Sequence, residues 1–376
     1  MLSNTRPSSP EAPARGVLRR ARITVLAVAA ILGLAATVTA SAHAAVKPIV
    51  FGIYPGGGAG AVGPSGETRP ETPELRRQAL LALRPAGRPF VLHLYDEYRT
   101  PADAAAVPAW LATQIAGYTA DGFKIELVLP YRPSRPGGDV AGYLNFVRAR
   151  VRQLGPNRNV THLQVTNEAN IEGAPNAADG AYRGAVAALV RGVIVAKREA
   201  RRSRHRHLRI GFNWADEGGS APKRFFASLY AKGGRKFSSA VDWVGVDAYP
   251  GTWGPALPKG NLTSAVRKAT ISTMRRLRTR LLPRAKLQRA KIHFSESGYP
   301  TGPGRTHAMQ RTVMRSAIRT VSRYRRKYGV TDFRWFDLRD ADSSNPSFES
   351  QYGLTTDDYT PKPAFHAYRS LVRRLR

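Results

Sequence analysis

Cysteine is absent from this chain of 376 residues, which excludes thiol nucleophiles and thiolate metal sites. The absence does not locate the protein, because a large domain can dispense with disulfides even where they are permitted. Acidic residues are scarce as well: 26 Asp and Glu stand against 59 Lys and Arg, for a formal net charge of +33. No H-E-x-x-H motif occurs, and the one close histidine pair, His205 and His207, sits inside a basic run. That is a poor cation site, so no metal is expected. No serine occupies a G-x-S-x-G elbow. Gly58, Gly60 and Gly63 spell a dinucleotide-type motif after the first strand-like run, but Pro64, Gly66, Pro70 and Pro73 break the helix it should open. Asp96 and Glu97 also come too late to hold a ribose. The stretch reads as a rim loop, and no cofactor is expected.

A positive field of this size draws polyanions such as nucleic acid, anionic lipid, acidic cell-wall polymers or an acidic glycan. The basic residues cluster in stretches such as Arg201 to His207, Met274 to Arg280 and Arg323 to Lys327, which read as solvated outer faces. No recognisable nucleic-acid module accompanies them, so no specific nucleic-acid partner is expected. An anionic cell-wall polymer remains a candidate partner of the basic surface.

Long apolar runs are confined to one place. Arg19, Arg20 and Arg22 precede an apolar run from Ile23 to Ala40, followed by Ala42, His43, Ala44 and Ala45. That is the order of a secretory signal peptide, with cleavage expected after Ala44. The alternative is an uncleaved anchor. In either case residues 45–376 are expected outside the cytoplasm, as a secreted or membrane-tethered protein. Five arginines and one glutamate lie before the cut, so the remainder carries +29.

That remainder alternates between two periodicities. Eight β-branched or aromatic runs begin near Ile49, Phe90, Lys124, Val160, His207, Val241, Lys291 and Asp332, at the spacing of βα units. Helical patterns lie between and after them: Pro73 to Arg84, Pro108 to Ala120, Asp139 to Leu154, Ala178 to Arg201, Ala221 to Lys232, Leu262 to Leu282, Thr306 to Lys327 and Pro363 to Leu375. The expected fold class is α/β, a single-domain (β/α)8 TIM barrel over residues 45–376. A doubly wound open sheet is the alternative topology. Both put ligands at the carboxyl ends of the strands.

Two glutamates fall at such ends. Glu168 closes the fourth run and Glu296 the seventh, so a barrel would bring both to one mouth. A pair of carboxyl groups about 5 to 5.5 Å apart is what hydrolysis of a glycosidic bond with retention requires, one as proton donor and one as nucleophile. Around them, Asn167 offers an amide for a sugar hydroxyl, Tyr249 a phenolic hydrogen for Glu296, Trp335 a flat face for a pyranose, and Arg99 a positive charge for the nucleophile. Among the other carboxylates near strand ends (Asp96, Glu97, Asp216, Glu217, Asp247, Asp337 and Asp340), Asp337 is the first candidate for a substrate contact. Plainer readings stay open for each: Asn167 and Glu168 also fit a helix start, Tyr249 and Trp335 fit core packing, and His93 and His293 read as satisfied interior histidines.

The segments Thr166 to Asn170 (TNEAN), Val241 to Pro250 (VDWVGVDAYP), Phe294 to Pro300 (FSESGYP) and Lys362 to Tyr368 (KPAFHAY) resemble retaining glycoside hydrolases of clan A. The resemblance implies a TIM barrel in which Glu168 is the acid/base and Glu296 the nucleophile. With it comes an expected carbohydrate substrate, a β-linked poly- or oligosaccharide, and a monomer. A non-catalytic barrel that binds glycans or polyanions is the alternative.

Overall fold

The computed structural model describes residues 48–57 and 70–375. The leader and the Gly58 to Gly63 loop lie outside the described residues. Eight parallel strands close into a barrel in chain order: β1 (Val50–Ile53), β2 (Phe90–Tyr95), β3 (Lys124–Leu129), β4 (Val160–Val165), β5 (Arg209–Ala215), β6 (Trp243–Asp247), β7 (Lys291–Glu296) and β8 (Val330–Trp335). Val50 of β1 pairs with Asp332 of β8 and completes the ring. Helices α1 (Pro73–Leu83), α2 (Ala109–Ala120), α3 (Val140–Leu154), α4 (Ala185–Arg202), α5 (Ala221–Ser238), α6 (Leu262–Arg276), α7 (His307–Tyr328) and α8 (Pro363–Arg374) follow the strands one by one. The single-domain TIM barrel expected from the alternating periodicities is the fold, and the open-sheet alternative is excluded by the β1–β8 pairing. Among the described residues no helix is long and apolar enough to cross a membrane.

Local chemistry sets several boundaries. Asp139, Asn261 and Thr306 cap α3, α6 and α7 by accepting from Gly142 N, Ser264 N and Met309 N at 2.9, 2.9 and 3.1 Å. The helix expected from Ala178 begins only at Ala185, because Gly184 sits at φ 93° and the preceding residues form a short turn, Asp179–Ala181. The one expected to run to Leu282 leaves α-geometry at Leu277 and ends in a tighter turn containing Pro283, which has no N–H to donate. In contrast, α5 outruns its expected end at Lys232, with a break at Gly234 (φ 53°).

Alternation along each strand sends one set of side chains toward the helices and the other into the barrel. The outward set is apolar: Phe51, Phe294 and Phe333 pack ring against ring at 5.6 to 6.3 Å. The inward set is polar and charged, including His93, Glu126, Asn213, Asp247, His293, Asp332 and Arg334, all buried. Large inward groups fit because small ones face them. A Cβ on Gly52 would lie 2.6 Å from Arg334 Cδ, and one on Gly211 2.3 Å from the Trp243 ring.

Candidate active site

The rim gathers three carboxyl groups. Oxygens of Glu168, Asp247 and Glu296 all lie within 4.8 Å of one another, although the residues come from β4, β6 and β7. Glu296 ends β7 and is held from two sides: the Tyr95 hydroxyl donates to Oε1 at 2.6 Å and the Tyr249 hydroxyl to Oε2 at 2.5 Å. Both phenols are pushed well above their ordinary pKa by burial first and then by the Glu296 charge, so they stay protonated as donors.

Glu168 lies three residues past the end of β4, in a turn that leaves the strand through left-handed backbone at Thr166 (φ 64°) and Glu168 (φ 46°). Such conformations are unfavourable for non-glycine residues and persist only where surroundings enforce them. Here Asp179 does much of the enforcing. Its Oδ2 accepts from Asn167 N at 2.7 Å and from Tyr131 N at 2.6 Å. Burial of Asp179 outweighs those donors and pushes its pKa up to about 7. Asn213 of β5 adds a second clamp, accepting from Glu168 N at 2.9 Å and donating to Asn167 Oδ1 at 2.8 Å and to Asp247 Oδ2.

Burial, followed by the Glu296 charge, pushes Glu168 up to about 8. Asp247 is raised for the same reasons, even though it accepts from Ser295 Oγ at 2.6 Å and from Asn213. Glu168 and Asp247 lie side by side, and Asp247 tempers the rise of Glu168 without cancelling it. The rim therefore holds a carboxyl that stays protonated at neutral pH beside a carboxylate fixed by two phenols.

The structure places the other expected residues variously. Tyr249 is on Glu296, as described. Asn167 is 6% exposed and largely committed: its amide oxygen accepts from Asn213 and its nitrogen donates to the Ala177 carbonyl at 3.0 Å. Arg99 does not approach Glu296; it is an exposed side chain paired with Glu97 at 2.7 Å. It follows β2 by four residues, outside the strand's inward phase, and the task expected of it falls to the hydroxyls of Tyr95 and Tyr249. Trp335 has no ring face to offer, because it is fully buried on the outward side of β8, next to the inward Arg334. Phe336, one residue later, turns to the site and stacks on Tyr54 at 5.1 Å. Asp337 is 1% exposed, and its charge acts on Tyr54 and Tyr352 from beneath the aromatic wall. The carboxylate that joins the glutamates is Asp247.

Farther out, Trp253 is half exposed, its indole N–H donating to the Tyr352 hydroxyl at 2.8 Å. A cavity of about 300 Å³ lies beside it, lined by Tyr249, Trp253, Pro255, Asp216 and Thr273 among others. Tyr352 in turn meets Tyr249 and Phe336 edge-on at 5.7 and 5.9 Å. Aromatic rings thus extend continuously from Glu296 to solvent. The loop that carries Phe336 and Tyr352 is pinned by a buried ion pair, Lys362 Nζ to Asp340 Oδ1 at 2.7 Å.

A second donor group lies deeper, where His162, His293 and Asp332 offer atoms within 4.8 Å of one another. Its carboxylate is already engaged, by Arg334 at 2.8 Å and by His293 at 3.1 Å. The guanidinium disfavours a cation there.

No family model matches the sequence, and no curated protein matches it. Solved structures do. A family 39 glycoside hydrolase from Bacteroides cellulosilyticus WH2 superposes at TM-score 0.57 over 87% of this chain and 64% of that one, with 15% identity. The β-glucuronidase of Bifidobacterium dentium, complexed with coumarin-3-O-glucuronide, does so at TM-score 0.54 over 87% and 46%, with 13% identity. A β-glucuronidase from Ruminococcus gnavus in complex with D-glucuronic acid gives 0.53 over 87% and 49%, also with 13% identity. The chain shares their fold. It spans less than two thirds of the length of each.

Proposed function

We propose that this protein is a retaining glycoside hydrolase that cuts β-linked poly- or oligosaccharides. The observation that carries the reading is the separation of the carboxyl groups: oxygens of Glu168 and Glu296 lie within 4.8 Å. That leaves no room for a water between acid and base, as inversion at 6.5 to 9.5 Å would need, and matches the spacing of about 5 to 5.5 Å for retention. In the first step Glu296 attacks the anomeric carbon as the bond to the leaving oxygen breaks, and Glu168 gives that oxygen its proton. In the second, Glu168 takes a proton from water, whose oxygen displaces Glu296 from the sugar. The raised pKa of Glu168 suits the first role, and the two phenols on Glu296 suit the second carboxylate to attack. Phe336 and Trp253 replace Trp335 as the ring faces proposed to meet sugars.

The leader within residues 1–44 supports delivery outside the cytoplasm, where polysaccharides are met. The charge of +29 on the remainder favours, as a second and compatible property, retention on anionic wall polymers, which salt would weaken. The test is a panel of β-glucans, mannans, galactans and xylans with reducing ends as the readout. Glu168→Gln and Glu296→Gln should each lower turnover by about a thousandfold or more. Full activity in either variant refutes the assignment.

A further inference from the structure

Beneath Glu296 the hydrogen bonds continue into the barrel. The Tyr95 hydroxyl that donates to Glu296 Oε1 also lies 3.1 Å from His93 Nε2, and His93 Nδ1 lies 2.8 Å from Glu126 Oε1. His93 is buried, so no bulk solvent completes these contacts. Burial acts to raise the Glu126 pKa, but Arg334, His293 and His93 together outweigh it and hold the group well below the carboxylate range. An ionised carboxylate only accepts, so His93 Nδ1 carries a hydrogen.

Tyr95 has one hydrogen and two neighbours in range. If it points to Glu296, the 3.1 Å contact is a hydrogen bond only when His93 Nε2 donates to the phenol oxygen, and the ring then carries two hydrogens as an imidazolium. If it points to His93 Nε2, Glu296 must carry its own hydrogen and donate it to the phenol. The two arrangements contain the same number of protons. They interconvert when one hydrogen passes from Glu296 Oε1 to the Tyr95 oxygen while another passes from that oxygen to His93 Nε2. Only these O–H and N–H bonds form and break.

We propose that His93 is a positioning residue that stores, through Tyr95, the proton that would otherwise sit on Glu296, so that the nucleophile waits ionised. This rests on the retaining role given to Glu296 above. Two contacts select the arrangement with the proton on His93. The Tyr249 hydroxyl donates to the second oxygen of Glu296 at 2.5 Å, and the Glu126 carboxylate faces the imidazolium at 2.8 Å. Glu296 itself lies 3.8 Å from His93 Nε2. Of the remaining charged or titratable neighbours, Arg334 of β8 points its guanidinium at Glu126 and Asp332, and His293 of β7 pairs with Asp332. Removing one proton from the chain leaves a single tyrosine hydrogen for two acceptors. Either Glu296 Oε1 or His93 Nε2 would then face the phenol oxygen without a hydrogen between them.

The direct test is ¹⁵N NMR of histidine-labelled protein, with the His93 ring assigned from the signal lost in His93→Gln. At pH 7 both His93 nitrogens should have protonated shifts. In Glu296→Gln the glutamine N–H can serve the phenol oxygen, so the Tyr95 hydrogen turns to His93 and Nε2 should lose its proton. A neutral His93 in the unmodified protein, or an unchanged pattern in Glu296→Gln, overturns the proposal. Tyr95→Phe keeps the ring and supplies the kinetic arm: kcat should fall about 10- to 100-fold, and the acid limb of kcat/KM should move to higher pH. An unmoved acid limb also overturns it. The retaining reading fails separately, if Glu296→Gln keeps full activity whatever the state of His93.

Discussion

Four carboxyl groups inside this barrel, Glu168 and Asp247 at the rim and Glu126 and Asp332 a layer below, meet opposite fates. Burial acts to raise all four. At the rim it is joined by the charge of Glu296, and Glu168 and Asp247 stay raised. Below, Arg334 and the histidines outweigh it; Glu126 is held well below its ordinary range and Asp332 at about 2. Depth in the barrel is therefore a poor guide to protonation. What decides is whether the layer contains a cation within reach.

The largest expected break in this contrast is Arg334→Met. It strips the lower layer of its guanidinium and leaves two buried carboxylates partly uncompensated, at a cost of about 3 to 5 kcal/mol. Denaturant midpoints should fall accordingly, and a loss under 1 kcal/mol would show that the histidines alone balance the layer.

A smaller effect tests the sign in each layer. Glu168 has a raised folded-state pKa, so the wild type loses stability relative to Glu168→Gln as pH climbs from 4.5 to about 8, by at most about 1.4 kcal/mol per pH unit. Glu126 has a depressed one, so its contribution is present above pH 4.5 and lost as pH falls below it toward the folded value. Relative to wild type, Glu126→Gln should be least stable near neutrality and recover in acid. Melting curves from pH 2 to 9 on both variants check this, and parallel slopes would contradict it.

The smallest effect concerns the aromatic wall. Trp253→Ala removes a half-exposed ring and should raise KM about 2- to 10-fold with little change in kcat. A change in kcat alone would remove Trp253 from the binding surface.

The barrel and its two glutamates were legible because strand and helix periods differ and because Glu296 ends β7 and Glu168 follows β4 within three residues. Tyr249 could be paired with Glu296 for the same reason. What failed was phase. Trp335 and Arg334 are adjacent and point to opposite sides of β8, so a one-residue error exchanges a core ring for a site ring. The alternation Phe333, Arg334, Trp335 contained that phase, with the arginine marking the inward side. Tyr95 could have been found likewise, as the inward residue two past His93. Asp179 was not recoverable from pattern, since it acts from a turn eleven residues beyond Glu168 by binding backbone N–H groups. Asp247 was one of several strand-end carboxylates, and only the closed barrel brings it between the two glutamates.

The division of labour at the rim can be tested most directly by trapping. The protein should be incubated with a panel of 2-deoxy-2-fluoro-β-glycosides carrying good leaving groups, and then digested and read by mass spectrometry. A single sugar ester on Glu296, absent in Glu296→Gln, is the predicted result. An ester on Glu168 or Asp247, or substrate turnover that yields the inverted anomer, would contradict it.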